Sequence, residues 1–248
     1  MERAIKPVFL LADSQLLFWR EGDRPFLARA RGLLAADGAG GALKAAYLGA
    51  ANGDAPEFYD LFVAAMAEIG IADCRMIPTE VSAADHAYLE TADLILLAGG
   101  DIERGWQAFE RAGLPPKLLA RYYAGALMVG ISAGAVQLGL KGWSEDGDRL
   151  FDTLRIVPFV VDAHDEPGWI RLHSIVPRAG EHVRGYGLPS GGGALYHPDY
   201  SVEPIRHGLV EISLSAEEGL RQSLLYPPEP GASPGDGGGE EAAALDVN

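Results

Sequence analysis

The sequence predicts an α/β protein with a doubly wound, mostly parallel sheet, flanking helices and antiparallel strands added at the sheet edge. Two observations carry this prediction. Over the first 140 residues, short apolar runs alternate with helix-length amphipathic segments, the pattern of buried parallel strands joined by helices. After Gly142, brief strand-like runs separated by turn residues become more frequent, which is typical of antiparallel strands.

Five apolar runs are the predicted parallel strands, and each is bounded by Gly, Pro or charged residues. They span residues 8–12, 45–48, 74–77, 94–98 and 126–129. Runs this short and this apolar suit strands that crossover helices bury on both faces.

Three segments between these strands are predicted as helices. In 56–70 the apolar residues recur at spacings of three and four, so they share one face. Pro56 suits a first helical turn and Gly70 suits a C-terminal stop. Residues 103–112 and 116–124 are also predicted to be helical.

In the second half, residues 154–161 are predicted as a strand and 168–176 as a short helix. Between 183 and 214, strand-like runs alternate with turns at 189–193 and 197–199. We expect these strands to extend the edge of the same sheet.

The chain is predicted to form one domain over residues 1–226, followed by an acidic tail. Residues 227–248 are rich in Pro and Gly and contain five acidic residues but no Lys or Arg. Such a segment buries too little apolar surface to offset its ordering entropy, so we predict disorder. A partner-binding tail is the alternative interpretation.

The charge balance argues against two classes of partner. The chain has 20 Lys and Arg against 35 Asp and Glu, a formal charge of −15. Phosphate backbones and anionic membrane surfaces are bound by clustered cations, so we expect neither nucleic acid nor membrane as a partner. The uncharged stretch 122–140 contains four glycines, and a buried strand turning into a buried helix explains it better than a membrane span. A homodimer is a candidate assembly.

Cysteine usage bears on location and on metal binding. Cys74 is the single cysteine of the chain, so neither an internal disulfide nor a thiolate zinc cluster can form. We therefore expect a cytoplasmic protein. Separately, we expect no metal and no organic cofactor.

The sharpest local motif is Gly-Ile-Ser-Ala-Gly at 130–134, directly after the fifth predicted strand. It has the G-x-S-x-G pattern of a nucleophile elbow, in which a strand turns abruptly into a helix and exposes the serine oxygen. The N–H of Ala133 would then help to bind an oxyanion. A tight strand–helix turn without catalysis is the alternative interpretation.

A second glycine motif, Ala-Gly-Gly-Asp at 98–101, follows the fourth predicted strand. Ligands of open α/β sheets bind at this carboxyl edge, and the N–H of Gly100 is a candidate second oxyanion donor. A plain turn is the alternative. A serine nucleophile also needs a base, and among six histidines His164 stands out only modestly, at the end of an apolar strand.

Together these motifs resemble the dipeptidase E and cyanophycinase family of serine peptidases, which has the class I glutamine-amidotransferase-like fold. The matching segments are 47–54, 98–101, 130–135, 157–164 and 187–189, in order over roughly residues 5–215. The resemblance implies Ser132 as the nucleophile and His164 as the general base. It also implies the N–H groups of Gly100 and Ala133 as the oxyanion hole.

One position departs from the family pattern. The family's catalytic acid is a Glu that directly follows a Gly-Leu-Pro segment, whereas here residues 187–189 are followed by Ser190. Loss of the acid from such a triad can lower turnover by about four orders of magnitude. Three interpretations stay open. Asp162, Asp165 or Glu181 replaces the acid, Ser190 itself orients the imidazole, or catalysis has been lost.

The sequence thus predicts a serine hydrolase acting on a small peptide or amide. Family members act on Asp-containing substrates, and the resemblance makes Arg171 a candidate for holding the Asp carboxylate, with Gly99 and Asp101 as further substrate-binding candidates. Two alternatives remain. One is an inactive homologue that only binds small molecules or peptides. The other is an α/β-hydrolase-type esterase whose acid would be Asp146, Asp148 or Asp152.

Overall fold

The structure is a computed structural model that describes residues 4–36, 42–215 and 219–227. Its strands are β1 (Val8–Leu11), β2 (Arg20–Glu21), β3 (Arg24–Pro25), β4 (Lys44–Leu48), β5 (Asp73–Ile77), β6 (Leu94–Leu97), β7 (Leu127–Ile131), β8 (Lys141–Trp143), β9 (Leu150–Asp152), β10 (Val160–Ala163), β11 (Arg184–Leu188), β12 (Gly193–Tyr196), β13 (Val202–Ile205), β14 (Leu209–Ser215) and β15 (Gly219–Leu225). Its helices are α1 (Gln15–Phe18), α2 (Ala28–Ala35), α3 (Pro56–Glu68), α4 (Ala83–Leu89), α5 (Ile102–Arg111), α6 (Leu114–Tyr123), α7 (Ala133–Leu138) and α8 (Ile170–Ala179). A 3-10 turn spans Ala50–Asn52.

The central sheet has seven strands in the order β13-β12-β1-β7-β6-β4-β5. The pairs β1·β7, β7·β6, β6·β4 and β4·β5 are parallel, and all five predicted parallel strands are present. On the other side of β1, β12 pairs with β1 in antiparallel fashion, and β13 pairs with β12 in antiparallel fashion. The predicted mostly parallel sheet with antiparallel strands at one edge is confirmed.

Helices cover both faces of this sheet. Successive strand residues point to opposite faces, so one strand contributes to the core on each side. Phe9 and Leu11 of β1 belong to a core that includes Phe62 of α3. Leu10, between them, belongs to a core on the other face with Phe109 of α5. The doubly wound arrangement predicted from the alternating pattern is therefore present.

The second half differs from the prediction in two ways. The predicted strand 154–161 begins only at Val160, because the preceding backbone hydrogen-bonds to the end of α7, with the N–H of Leu154 donating to Gln137 and that of Ile156 to Leu138. In addition, β11 and β14 do not join the central sheet. They form a separate four-stranded sheet in the order β10-β11-β14-β15. The helix predicted at 168–176 begins at Ile170 and extends to Ala179.

The uncharged stretch 122–140 contains the end of α6, all of β7 and all of α7. In the described ranges, no helix combines the length and the apolar character that a membrane span requires. The predicted tail, 227–248, lies outside the described residues apart from Pro227, so its disorder stays a prediction.

Candidate active site

Ser132 occupies the turn between β7 and α7 in a strained conformation, with φ 48° and ψ −111°. A residue with a side chain is rarely found there, and the conformation persists only where its surroundings enforce it. Two hydrogen bonds hold Ser132 in this conformation. The Ser132 N–H donates to the Leu11 carbonyl of β1 at 2.8 Å, and the Val136 N–H donates to the Ser132 carbonyl at 3.1 Å. The sharp turn predicted from the motif is therefore present.

The two glycines that flank this turn are required by close backbone approach. A Cβ on Gly130 would lie 2.6 Å from the carbonyl oxygen of Gly134, and a Cβ on Gly134 would lie 2.1 Å from that of Leu97. Since real Cβ atoms essentially never come this close, both positions need glycine for α7 to pack against β6 and β7.

The Gly99-Gly100 pair lies beside this turn, at the carboxyl end of β6. A Cβ on Gly99 would lie 3.3 Å from the Cβ of Ser132. Gly100 has φ +133°, and a Cβ there would lie 2.2 Å from the carbonyl oxygen of Ala51. This glycine lets the chain pass directly against the 3-10 turn.

Two backbone N–H groups at this edge are free to bind a ligand. Ala133 is the first residue of α7, where helix geometry leaves the N–H without an intrahelical acceptor. In the described part of the chain, neither its N–H nor that of Gly100 donates to a protein acceptor. Such donors are what an oxyanion hole requires.

His164 follows β10 directly and adopts φ 63°, with its backbone N–H donating to the Leu188 carbonyl at 3.2 Å. Its exposed side chain lines a cavity of about 240 Å³. The same cavity is lined by Gly99, Gly100 and Ser132. The structure therefore brings together the residues predicted as nucleophile, base and glycine edge, although they come from three separate parts of the chain.

Arg171 and Asp101 do not line that cavity. They line a neighbouring one of about 300 Å³, on the other side of Gly100, together with Trp143 and Glu145. The Asp101 carboxylate accepts a 2.8 Å hydrogen bond from the Arg104 N–H and so caps α5. A direct role for either residue in substrate binding stays a prediction.

The three carboxylates considered as replacement acids have other surroundings. Asp165 accepts a 2.8 Å hydrogen bond from the Arg171 N–H at the start of α8. Glu181 precedes β11, whereas His164 follows its parallel partner β10, so the two residues lie at opposite ends of these strands.

Asp162, the third of these carboxylates, is 4% exposed. Its Oδ1 accepts a 2.9 Å hydrogen bond from the Ala163 N–H, while in the described part of the chain Oδ2 has no partner. Burial raises the pKa of Asp162 to about 7. A group with this pKa is only partly ionised at neutral pH.

Two carboxylates that the sequence did not single out hold the 190–191 backbone. Glu166 Oε1 accepts from the Ser190 N–H at 2.8 Å, and Asp13 Oδ2 accepts from the Gly191 N–H at 2.6 Å. The one feature of the sequence that could have pointed to Glu166 is its position two residues after His164. Nothing in the local sequence indicates which amide it meets.

The acids of the esterase alternative lie on or near the β8–β9 hairpin and do not line the Ser132 cavity. Asp146 accepts from the Ser144 hydroxyl at 2.5 Å, and Asp152 pairs with Lys141 at 2.8 Å. As for metals, the described residues contain no group of three or more His, Cys, Asp or Glu able to hold an ion.

Comparisons with known proteins bear on the family and the fold of this chain. The sequence model of peptidase family S51 matches residues 22–195, whereas a search of curated proteins gives no match. Among solved structures, a peptidase from an acI-B1 Actinobacterium is similar with a TM-score of 0.67 and 13% identity, covering 99% of each chain. A putative peptidase E protein from Listeria monocytogenes EGD-e has a TM-score of 0.58 and 17% identity, covering 82% of this chain and 99% of its own. At these identities the likeness is one of fold.

Proposed function

This chain belongs to peptidase family S51, and on that basis we propose that it is a serine-type hydrolase of small peptides or amides. The observation that supports the proposal most directly is the shared cavity of Ser132 and His164, bounded by Gly99 and Gly100. A strained serine beside two free N–H groups and an exposed imidazole is the set of groups that acyl transfer needs.

In the proposed mechanism, His164 accepts the proton of the Ser132 hydroxyl while Oγ attacks the substrate carbonyl carbon. The N–H groups of Gly100 and Ala133 donate to the oxyanion of the tetrahedral intermediate. Collapse breaks the amide bond as His164 returns the proton to the leaving amine, which leaves an acyl group on Ser132. Water, deprotonated by His164, then attacks the acyl carbon; the bond to Ser132 Oγ breaks, His164 returns the proton to Oγ, and the free acid is released.

The free protein has the freedom that this mechanism needs. Within the described ranges the His164 ring has no hydrogen bond to another protein group, so none has to break before it accepts the Ser132 proton. Hydrogen bonds between catalytic groups often form only in the substrate complex.

A fluorophosphonate probe tests the proposal, because it labels only an activated serine. We expect labelling of the wild type and of Ser174→Ala, which removes an exposed hydroxyl on α8, and none of Ser132→Ala. Mass spectrometry identifies the modified peptide. If the wild type and Ser132→Ala react equally, the hydrolase proposal is wrong.

The absence of a Glu at position 190 supports a second candidate function, a homologue that binds peptides without cleaving them. Such a protein would fail to react with the probe and would still bind small peptides, as measured by calorimetry. Labelling at Ser132 would exclude it.

A further inference from the structure

The cavity that contains Ser132 has mainly apolar walls. Six large apolar side chains line it: Leu17, Phe58, Leu61, Phe62, Leu96 and Ile131. Three of them lie on α3, and two of these three are exposed, Phe58 at 46% and Leu61 at 40%. Apolar side chains grouped around a concave site are typical of a surface that a ligand covers.

Apart from the proposed base His164, the described residues that line this cavity include no cationic side chain to bind an acidic substrate group. Within the described ranges, Asp13 lines the cavity and no Lys or Arg does. A substrate carboxylate placed there would lose its hydration and face a like charge, which is unfavourable in a partly dry site. The cation considered for this task, Arg171, lines the neighbouring cavity beyond Gly100.

We propose that this cavity holds an aliphatic or aromatic side chain next to the scissile bond, so that Leu or Phe is preferred there over Asp. The inference rests on the proposed hydrolase function. A volume of about 240 Å³ suits one side chain, since it lies below the roughly 300–1,000 Å³ typical of sites for drug-sized ligands.

Hydrolysis of matched dipeptides tests this preference, with Leu, Phe or Asp placed in turn on each side of the peptide bond. At one of the two positions, kcat/KM for Leu and Phe is expected to exceed that for Asp by roughly tenfold or more. Leu61→Arg should lower the ratio of kcat/KM for Leu or Phe to kcat/KM for Asp at least about tenfold. The matched control Val63→Arg, exposed on the same helix but outside the cavity, should leave it unchanged.

Two results would overturn the inference: a wild-type preference for Asp at both positions, or equal effects of Leu61→Arg and Val63→Arg. Both leave the hydrolase function standing, because fluorophosphonate labelling of Ser132 reports that function separately. If Ser132 is not labelled and no dipeptide is cleaved, the proposed function fails and this inference fails with it.

A different contact carries a second inference, which concerns the missing acid. Parallel pairing aligns Ala163 of β10 with Leu188 of β11, and the His164 N–H donates to the Leu188 carbonyl. Ser190 follows two residues later, at the position where the family pattern has Glu. The Glu166 carboxylate reaches this position from the loop after β10 and binds the Ser190 N–H at 2.8 Å.

The ionisation state of the Glu166 carboxylate suits a group that would stabilise a charged imidazole. Burial alone would raise its pKa, but hydrogen bonds from the Ser190 backbone and side chain, together with the nearby His164 charge, lower the pKa overall. Glu166 is therefore ionised at neutral pH, whereas Asp162 is only partly ionised. Asp13, which follows β1 and is the other carboxylate bound to the 190–191 backbone, already accepts hydrogen bonds from the N–H groups of Gly191 and Gln15.

We infer that Glu166 is the positioning residue for His164 and supplies, from a different loop, the carboxylate that position 190 lacks. This inference also rests on the proposed hydrolase function. A carboxylate in this role orients the imidazole and stabilises its charged form. The exposed Glu181, at the far end of β11, is the matched control.

The test compares Glu166→Gln, Asp13→Asn and Glu181→Gln by their pH–rate profiles. Glu166→Gln is expected to lower kcat at least about 100-fold and to move the acidic limb of kcat/KM to lower pH, because the imidazolium loses its anionic neighbour. Glu181→Gln should match the wild type. Adding Ser190→Glu to Glu166→Gln restores the family arrangement and should recover at least about tenfold of the loss.

A merely structural role for Glu166 would lower kcat without moving the acidic limb, and that result would overturn the inference. So would a shift of the limb in Asp13→Asn but not in Glu166→Gln. In either case, labelling of Ser132 by the fluorophosphonate shows whether the hydrolase function itself stands.

Discussion

Gly134 lies so close to Leu97 that a Cβ on Gly134 would come within 2.1 Å of the Leu97 carbonyl oxygen. This close contact allows α7 to pack directly against β6, and it is one reason why the turn at Ser132 can be so sharp. The elbow is therefore maintained by packing between neighbouring strands as well as by its own short motif.

Gly134→Ala should lower the free energy of unfolding by roughly 1–3 kcal/mol, because overpacking forces the backbone apart. Urea unfolding measures the change. The matched control is Gly32→Ala in α2, where nothing lies within 4 Å of the added Cβ. There the gain in helix propensity should raise the free energy by about 0.5–1 kcal/mol. Similar changes in both variants would contradict the packing argument.

Gly99→Ala should separate activity from stability. The new Cβ would lie 3.3 Å from the Cβ of Ser132 and 3.3 Å from the carbonyl oxygen of Ile131, tight contacts that a shift of a few tenths of an ångström would relieve. We therefore expect the free energy of unfolding to change by less than about 1 kcal/mol. The rate of fluorophosphonate labelling should fall about tenfold or more, since a small displacement of reacting groups is costly. An unchanged labelling rate would argue against a constrained Ser132.

Asp162→Asn should stabilise the protein increasingly as the pH rises. Burial raises the folded-state pKa of Asp162 from 3.8 to about 7, so between about pH 4 and pH 7 the folded chain holds a proton that the unfolded chain releases. Wild-type stability from this group is therefore present at low pH and lost as the pH rises through that window. Relative to the wild type, the variant should gain on the order of 3 kcal/mol between pH 4 and pH 8.

Urea unfolding at several pH values measures this gain. Asp152→Asn is the control, because hydrogen bonding and charge from Lys141 lower the pKa of that exposed carboxylate. It should show no gain with rising pH. A constant difference between Asp162→Asn and the wild type across the range would contradict the raised pKa.

Glu203→Gln should weaken the attachment of α2 to the sheet edge. Glu203 of β13 accepts two hydrogen bonds from Arg29 of α2, at 2.8 and 2.9 Å, and one contact from His197 at 2.8 Å. Burial alone would raise the pKa of Glu203, but these partners lower it below its usual 4.5. Its stabilising effect is therefore present above pH 4.5 and lost as the pH falls through the folded-state pKa.

At pH 7 we expect Glu203→Gln to lose about 1 kcal/mol in free energy of unfolding, an amount suited to a partly exposed pair. The loss should shrink as the pH falls below 4.5 and through the lowered folded-state pKa of Glu203. Glu110→Gln, an exposed change on α5, should have little effect at any pH. A loss from Glu203→Gln that persists at low pH would show that packing, and not charge, is responsible.

The parallel half of the fold could be predicted because its signals are local. Buried strands are short apolar runs, and the helix at 56–70 is indicated by apolar residues at spacings of three and four. The second half could not be assigned in the same way. The strand-like runs at β11 and β14 have a pattern that either sheet could accept, and partner choice depends on contacts distant in sequence. Leu154, Ile156 and Val157 are apolar because they pack into the core beside α7, not because they form a strand.

For the candidate site, the motif alone located Ser132 and its flanking glycines, because a turn this sharp can be built only with glycine on both sides. Tertiary structure decided how the remaining groups are combined. It brought His164 to the Ser132 cavity and left Arg171 in the next one. The register of β10 against β11, together with the loop that follows β10, put the carboxylate of Glu166 on the amide of Ser190. A sequence records which acids are present. Which of them meets a given amide is set by the register of distant strands, since a hydrogen bond depends on where two groups lie in space and not on their separation along the chain.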